Sequence, residues 1–175
     1  TATAGGAFLL SRGEYSAKGV KILGGMAGKV ISGGISDAAN MGAAMAPAAA
    51  DTIVSYFEKT GKSPSDFDAI VTGDLGKLGS ELLLELTAGA GISIEGVHRD
   101  CGNMLYDANL QDIHCGGSGC GCSASVLSAY FLPRLAAGEM KNILFLSTGA
   151  LMSPSSVQQG DEILGVAPLI RISSL

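Results

Sequence analysis

FDAIVTGDLGKLGSELLLELTA, residues 67–88, decides the class of fold. Its first six residues, FDAIVT, are a short apolar run of the kind that fills a buried parallel strand. Gly73, Asp74 and Gly76 then turn the chain. From Lys77 onward leucines recur at helical spacing, and Leu78, Leu82, Leu83 and Leu86 are the expected apolar face. Gly89 and Gly91 stop that helix. A buried strand that feeds straight into an amphipathic helix is the repeating step of an α/β sheet.

The pattern continues on both sides. Residues 44–59 read as a helix through Ile53, Val54 and Phe57, ending at Gly61. Pro47 is expected in its first turn, where a missing N–H costs nothing. Before this helix, the loop at 33–41 offers Ser36 and Asp37 as caps. Residues 97–101 suit a short strand, and 123–137 a third helix (Val126, Leu127, Tyr130, Phe131, Leu135) ended by Gly138. Residues 142–147 and 166–173 read as the last two strands, with a polar loop at 153–164 between them. At the start, residues 2–11 form an expected strand that turns at Arg12-Gly13-Glu14 and pairs as a hairpin with 20–32. The whole of 1–175 is then a single α/β domain: a mixed, mainly parallel five-stranded sheet with helices packed on it.

Composition narrows the function. The chain is 47% hydrophobic, 15% charged and 5% aromatic with 26 glycines, which describes a compact core of small side chains and excludes disorder. Eleven basic residues against sixteen acidic ones leave no clustered phosphate-binding face, so no nucleic-acid partner is expected. No apolar run reaches the ~18 residues of a membrane-spanning helix. The start at Thr1, inside an expected strand, suits a piece of a longer chain. The four cysteines (Cys101, Cys115, Cys120, Cys122) are expected as reduced thiols.

Two strand-to-helix turns are candidate sites. In the first, Asp74 and Gly76 stand where open α/β sheets bind ligands. The alternative is plain capping, with Asp74 satisfying the first amides of the following helix. The phosphate loop G-x-x-x-x-G-K-[ST] is absent there. In the second, residues 114–123 (HCGGSGCGCS), Gly119 and Gly121 let several N–H groups converge and Ser118 and Ser123 add hydroxyls. With the helix dipole that suits a carboxylate. Equally, small residues such as Cys120 and Cys122 would let the helix pack close to the sheet. Zinc is disfavoured, because Cys120-x-Cys122 is tighter than a structural knuckle. A thiol nucleophile is disfavoured too, since His114 adjoins Cys115 in sequence rather than facing it. The expected loop tip at 153–160 reads as a solvated turn.

The segments NMGAAMAPAA (40–49), VTGDLG (71–76), GGSGCGCSA (116–124) and GALMSP (149–154) resemble the C-terminal half of the stage V sporulation protein AD family, in the same order over nearly the whole chain. The resemblance implies one half of a thiolase-like fold whose N-terminal half is not in this sequence. It implies a non-enzymatic role: binding dipicolinic acid, alone or as its calcium chelate, within a membrane-associated complex that moves it into and out of the spore. Neither cofactor nor resident metal is implied. The partners implied are the complex's other membrane components, the missing half and a second copy in a thiolase-like dimer. The location implied is peripheral to the inner spore membrane. Similar ketoacyl synthases carry His near the position of Gly73-Asp74 and Asn or His near 118–122, whereas this sequence offers Gly or Asp at the first. The ligand-binding candidates are therefore Asp74, Gly76, Ser118, Gly119, Cys120, Gly121, Cys122 and Ser123. The competing readings are half of an acyl-transfer enzyme, or a purely structural subunit.

Overall fold

A computed structural model describes residues 2–12, 19–107, 109–116 and 119–175, with the Cys120 side chain left aside. The strand that opened the sequence argument is β3 (Ala69–Thr72), buried along its full length. It lies in a five-stranded sheet ordered β1-β8-β5-β3-β4, where β1 is Val20–Met26, β4 His98–Asp100, β5 Asn142–Leu146 and β8 Leu169–Ser174. The β5-β3-β4 half pairs in parallel and the β1-β8-β5 half antiparallel, so the sheet is mixed as expected.

Alternation along the strands builds two cores. Ile70, Leu144, Leu146 and Leu169 face α1 (Met41–Thr60) and α2 (Gly76–Gly89). Ala69, Val71, Ile143, Phe145 and Ile172 share the opposite core with Val126, Leu127, Phe131 and Leu135. These last belong to α4 (Cys120–Val126), a wide π turn (Leu127–Phe131) and α5 (Leu132–Ala136), with Pro133 in the first turn of α5. In the π turn the Leu132 N–H donates to the Leu127 carbonyl, five residues back. A second, antiparallel sheet, β2-β7-β6, consists of Val30–Ser32, Leu164–Val166 and Gly149–Leu151. It lies against α1 at Gly165, where a Cβ would come within 2.6 Å of the Ala44 carbonyl oxygen.

Helix α1 meets α2 through glycines. A Cβ on Gly79 would stand 2.8 Å from the Gly42 carbonyl oxygen, and one on Gly42 would run into the Leu75 carbonyl. That contact chooses the buried face of α2. Gly76, Gly79, Ser80, Leu83 and Thr87 turn inward, while Leu78 and Leu86, expected inside, are exposed. The small side seats against α1 because two backbones cannot approach that closely across leucines.

Other expectations are corrected. Residues 2–11 are not a strand, and no hairpin forms with 20–32. Instead the segment runs beside α4: Ala2 is buried in the second core, and a Cβ on Gly6 would stand 2.8 Å from the Ala124 carbonyl oxygen. The stretch 20–32 divides into β1 and β2, which join different sheets. Gly28, at positive φ, lies between them, while Gly24 marks a register shift within β1. Residues 166–173 likewise divide, with the tail of β7 and β8 flanking Ala167-Pro168. The expected loop at 153–160 contains α6 (Pro154–Gln159), opened by a Ser153–Ser156 capping box and closed by left-handed Gly160. Helix α1 begins a turn earlier than expected, so Pro47 lies inside it, after a 3-10 turn that Asp37 caps. The third helix also begins earlier, at Cys120. Of the expected turn at Arg12-Gly13-Glu14, only Arg12 falls among the described residues.

Gly42→Ala is expected to cost about 1–3 kcal/mol in urea denaturation, because the added methyl forces α1 and α2 apart. Gly89→Ala, in open space at the end of α2, should be neutral or stabilise by up to about 1 kcal/mol. Equal effects at the two positions would refute the close-contact account.

Candidate functional site

The turn after β3 is organised by a carboxylate from the neighbouring strand. Parallel pairing sets Thr72 beside Asp100 at the ends of β3 and β4. Asp100 accepts from Thr72 Oγ1 (2.7 Å), the Leu75 N–H (2.8 Å), the Gly76 N–H (3.0 Å) and the Asn103 N–H (3.2 Å). It therefore caps both α2 and α3 (Cys101–Leu105). Cys115 supplies a further cap, its carbonyl accepting the Lys77 N–H. Burial pushes the Asp100 carboxyl pKa up, against the pull of its four donors.

Beneath this turn lies His98, buried, with Nε2 2.9 Å from Thr72 Oγ1. The threonine's only proton is given to Asp100, so the imidazole must be the donor in that contact, as the Nε2–H tautomer. Burial, with the nearby Arg99 charge, lowers the His98 pKa to about 4, which keeps the ring neutral.

Asp74 is not the cap of α2 that the sequence allowed. Its Oδ1 accepts from Thr148 Oγ1 at 3.0 Å and its Oδ2 from the Gly119 N–H at 3.2 Å. The Asp74 N–H returns a bond to Thr148 Oγ1 at 3.0 Å. Three segments are thus clasped together: the end of β3, the start of α4 and the β5–β6 connection. Burial raises the Asp74 pKa, opposed by its Thr148 and Gly119 donors and reinforced by the Asp100 charge.

The clasp lies in the wall of a cleft of about 610 Å³. Met41 and Met45 line it on one side, with Ile113–Gly116 and Ala150 on others. Of the residues expected at a site, Asp74, Gly76, Gly119 and Ser123 stand in this wall. Cys122 does not: it is fully buried in the second core beside Cys101. Gly121 faces the Ala4 carbonyl, at a distance no side chain could fill. Ser118 lies outside the described residues, and of Cys120 only the backbone is described, as the first residue of α4. Thr72 and Thr148 were missed because their partners lie 28 and 74 positions away. Asp100 was missed although it carries a local signal as the cap of α3, its bonds to the turn after β3 reaching back 24 positions or more.

Burial drives the Cys101 thiol far above its ordinary pKa and the Cys122 thiol to about 11. Cys115 is exposed, beside His114 at φ 50°. Among the described residues, no three His, Cys, Asp or Glu side chains converge as a metal set, and no helix is long and apolar enough to cross a membrane.

Unfolded His98 titrates near 6.5 and folded His98 near 4. Between those values the unfolded chain binds more protons, so His98 withdraws stability as pH falls through the window, by roughly 3 kcal/mol in all. The stability difference between the native chain and His98→Asn, followed by urea denaturation from about pH 7 to pH 4, should carry that slope. Asp100→Asn should cost about 2–3 kcal/mol at neutral pH, because its amide cannot accept from all the donors that meet there.

The family model of stage V sporulation protein AD matches residues 1–173. Stage V sporulation protein AD of Bacillus subtilis (strain 168) is 37% identical over 167 residues, which cover 95% of this chain and 48% of that protein. The chain spans about half the length of that curated relative. With segments matching from the first residues of the chain to the last strand of the sheet, the chain belongs to the stage V sporulation protein AD family.

Proposed function

We propose that this chain is a non-catalytic, dipicolinate-binding part of the spore's dipicolinate uptake and release complex. The observation that carries the reading is the cleft at the carboxyl ends of β3 and β5, where an α/β sheet receives its ligands. At about 610 Å³ it is in the range of small-molecule sites. Met41, Met45 and Ala150 offer apolar surface for a pyridine ring, and the Ser123 hydroxyl in the same wall offers a donor for a carboxylate.

Acyl transfer is the less favoured reading. The buried thiols of Cys101 and Cys122 are held protonated, and the neutral ring of His98 lies beneath the turn rather than in the cleft wall. The proposal includes a thiolase-like pairing with the other half of a longer chain and with a second copy. It also includes a position peripheral to the inner spore membrane, alongside the complex's membrane components.

Calorimetric titration of the full-length protein with pyridine-2,6-dicarboxylate tests the reading. Binding heat is expected, and Ala39→Trp, an exposed wall position, should weaken binding at least about tenfold by filling the cleft. Absence of heat with and without calcium would sink it, as would thiolysis or condensation turnover by the same preparation.

A further inference from the structure

Among the described residues, the cleft wall contains a carboxylate, Asp74, and neither Lys nor Arg. That is an unusual lining for a site proposed to receive an anion. The donors nearest the clasp, the Gly119 N–H and the Thr148 hydroxyl, are already engaged by Asp74. An internal carboxylate thus occupies the position that a ligand carboxylate would take.

Resting on the dipicolinate reading above, we propose that Asp74 is the specificity-determining gate of the cleft: it surrenders the Gly119 and Thr148 donors to a ligand carboxylate only by taking up a proton. Among the described residues, the groups around it do not supply the charge otherwise. Asp100 stands behind the turn and is itself acidic. Cys101 and Cys122 are buried thiols. Of the loop facing the cleft, His114 points largely to solvent, 3.9 Å from Asp112, and Cys115 carries no fixed charge partner among the described contacts. With Asp74 ionised, a second carboxylate in the clasp would meet like charge without a cation to offset it. With Asp74 protonated the repulsion disappears, and the neutral acid becomes a donor to the incoming carboxylate. The proton comes from solvent and stays on Asp74 while the ligand is bound. Its raised pKa, caused first by burial, makes that uptake easier.

The sign follows from linkage. Above the pKa of Asp74 each binding event consumes a proton, so affinity falls as pH rises, by at most about tenfold per unit. Calorimetry of the full-length protein with pyridine-2,6-dicarboxylate, between about pH 5 and pH 8 in buffers of different ionisation heat, reads this directly. The native protein is expected to take up as much as one proton per ligand at the alkaline end. Asp74→Asn should take up none, and should bind about tenfold or more tightly there. Comparing the two cancels the ligand's own titration. Binding by the native protein without proton uptake would overturn the gate alone and leave the dipicolinate reading standing. So would an unchanged slope in Asp74→Asn, or a folded variant that binds at no pH. No heat from the native protein at any pH would overturn both. His114→Gln, which removes the other titratable ring of the cleft lining, should keep the uptake, and its loss there would overturn the gate even if Asp74→Asn fails to fold.

Discussion

One carboxylate, that of Asp100, holds the functional end of the sheet in place. A helix start presents unpaired amides and a partial positive charge, and it attracts an anion if one can reach it. Here the protein supplies its own, from the adjacent parallel strand, and serves two helix starts with it. Thr72 and His98 extend the arrangement downward as a buried polar chain in which the threonine hydroxyl joins ring and carboxylate. Because α2 is already capped from within, its amides are not open to a ligand. The cleft must work with what the α4 start offers, and there Asp74 repeats the same device at a shallower depth.

The second constraint is proximity. Glycine at 42, 79 and 165 lets backbone touch backbone where α1 meets α2 and the small sheet. This is why the chain is so poor in aromatics: its layers are spaced for alanine and glycine, and bulk is confined to a few places. Tyr56, Phe57 and Phe67 form one such place, edge to face at centroid distances of 5.6–6.1 Å.

Much of the architecture could be read from the sequence because the buried strands and long helices carry strong local signals. β3, β5, α1 and α2 all fall close to where apolar runs and helical spacing indicated them. What misled was local hydrophobicity without knowledge of the partner. Residues 2–11 are apolar enough for a strand, yet their contacts are with α4. Leu78 and Leu86 fit an apolar stripe, yet a glycine contact turned the helix the other way. Helix α6 did have a local signal, Ser153-Pro154 with Gly160 following, which the polarity of the segment obscured. In the site, Asp74 was legible as a polar group at a strand end. Its clasp with Thr148 was not, since 74 positions separate the two and only the sheet brings them together.

The π turn at Leu127–Phe131 bears on how this layer keeps its alignment. Leu127, Phe131 and Leu135 recur every four residues, and in a regular α-helix such a row drifts by about 40° at each step. The wider turn takes back part of that rotation, so the three side chains stay in phase over the flat of the sheet. Pro133, which cannot donate to a carbonyl four residues earlier, sits just after the point where the regular bonding is already interrupted. Phase and proline are thus matched to one another. A π turn holds one residue more than the α turn it replaces, so removing a single residue between 127 and 131 would let the segment close to regular α-helix, with Leu135 still facing Ile143 and Ile172.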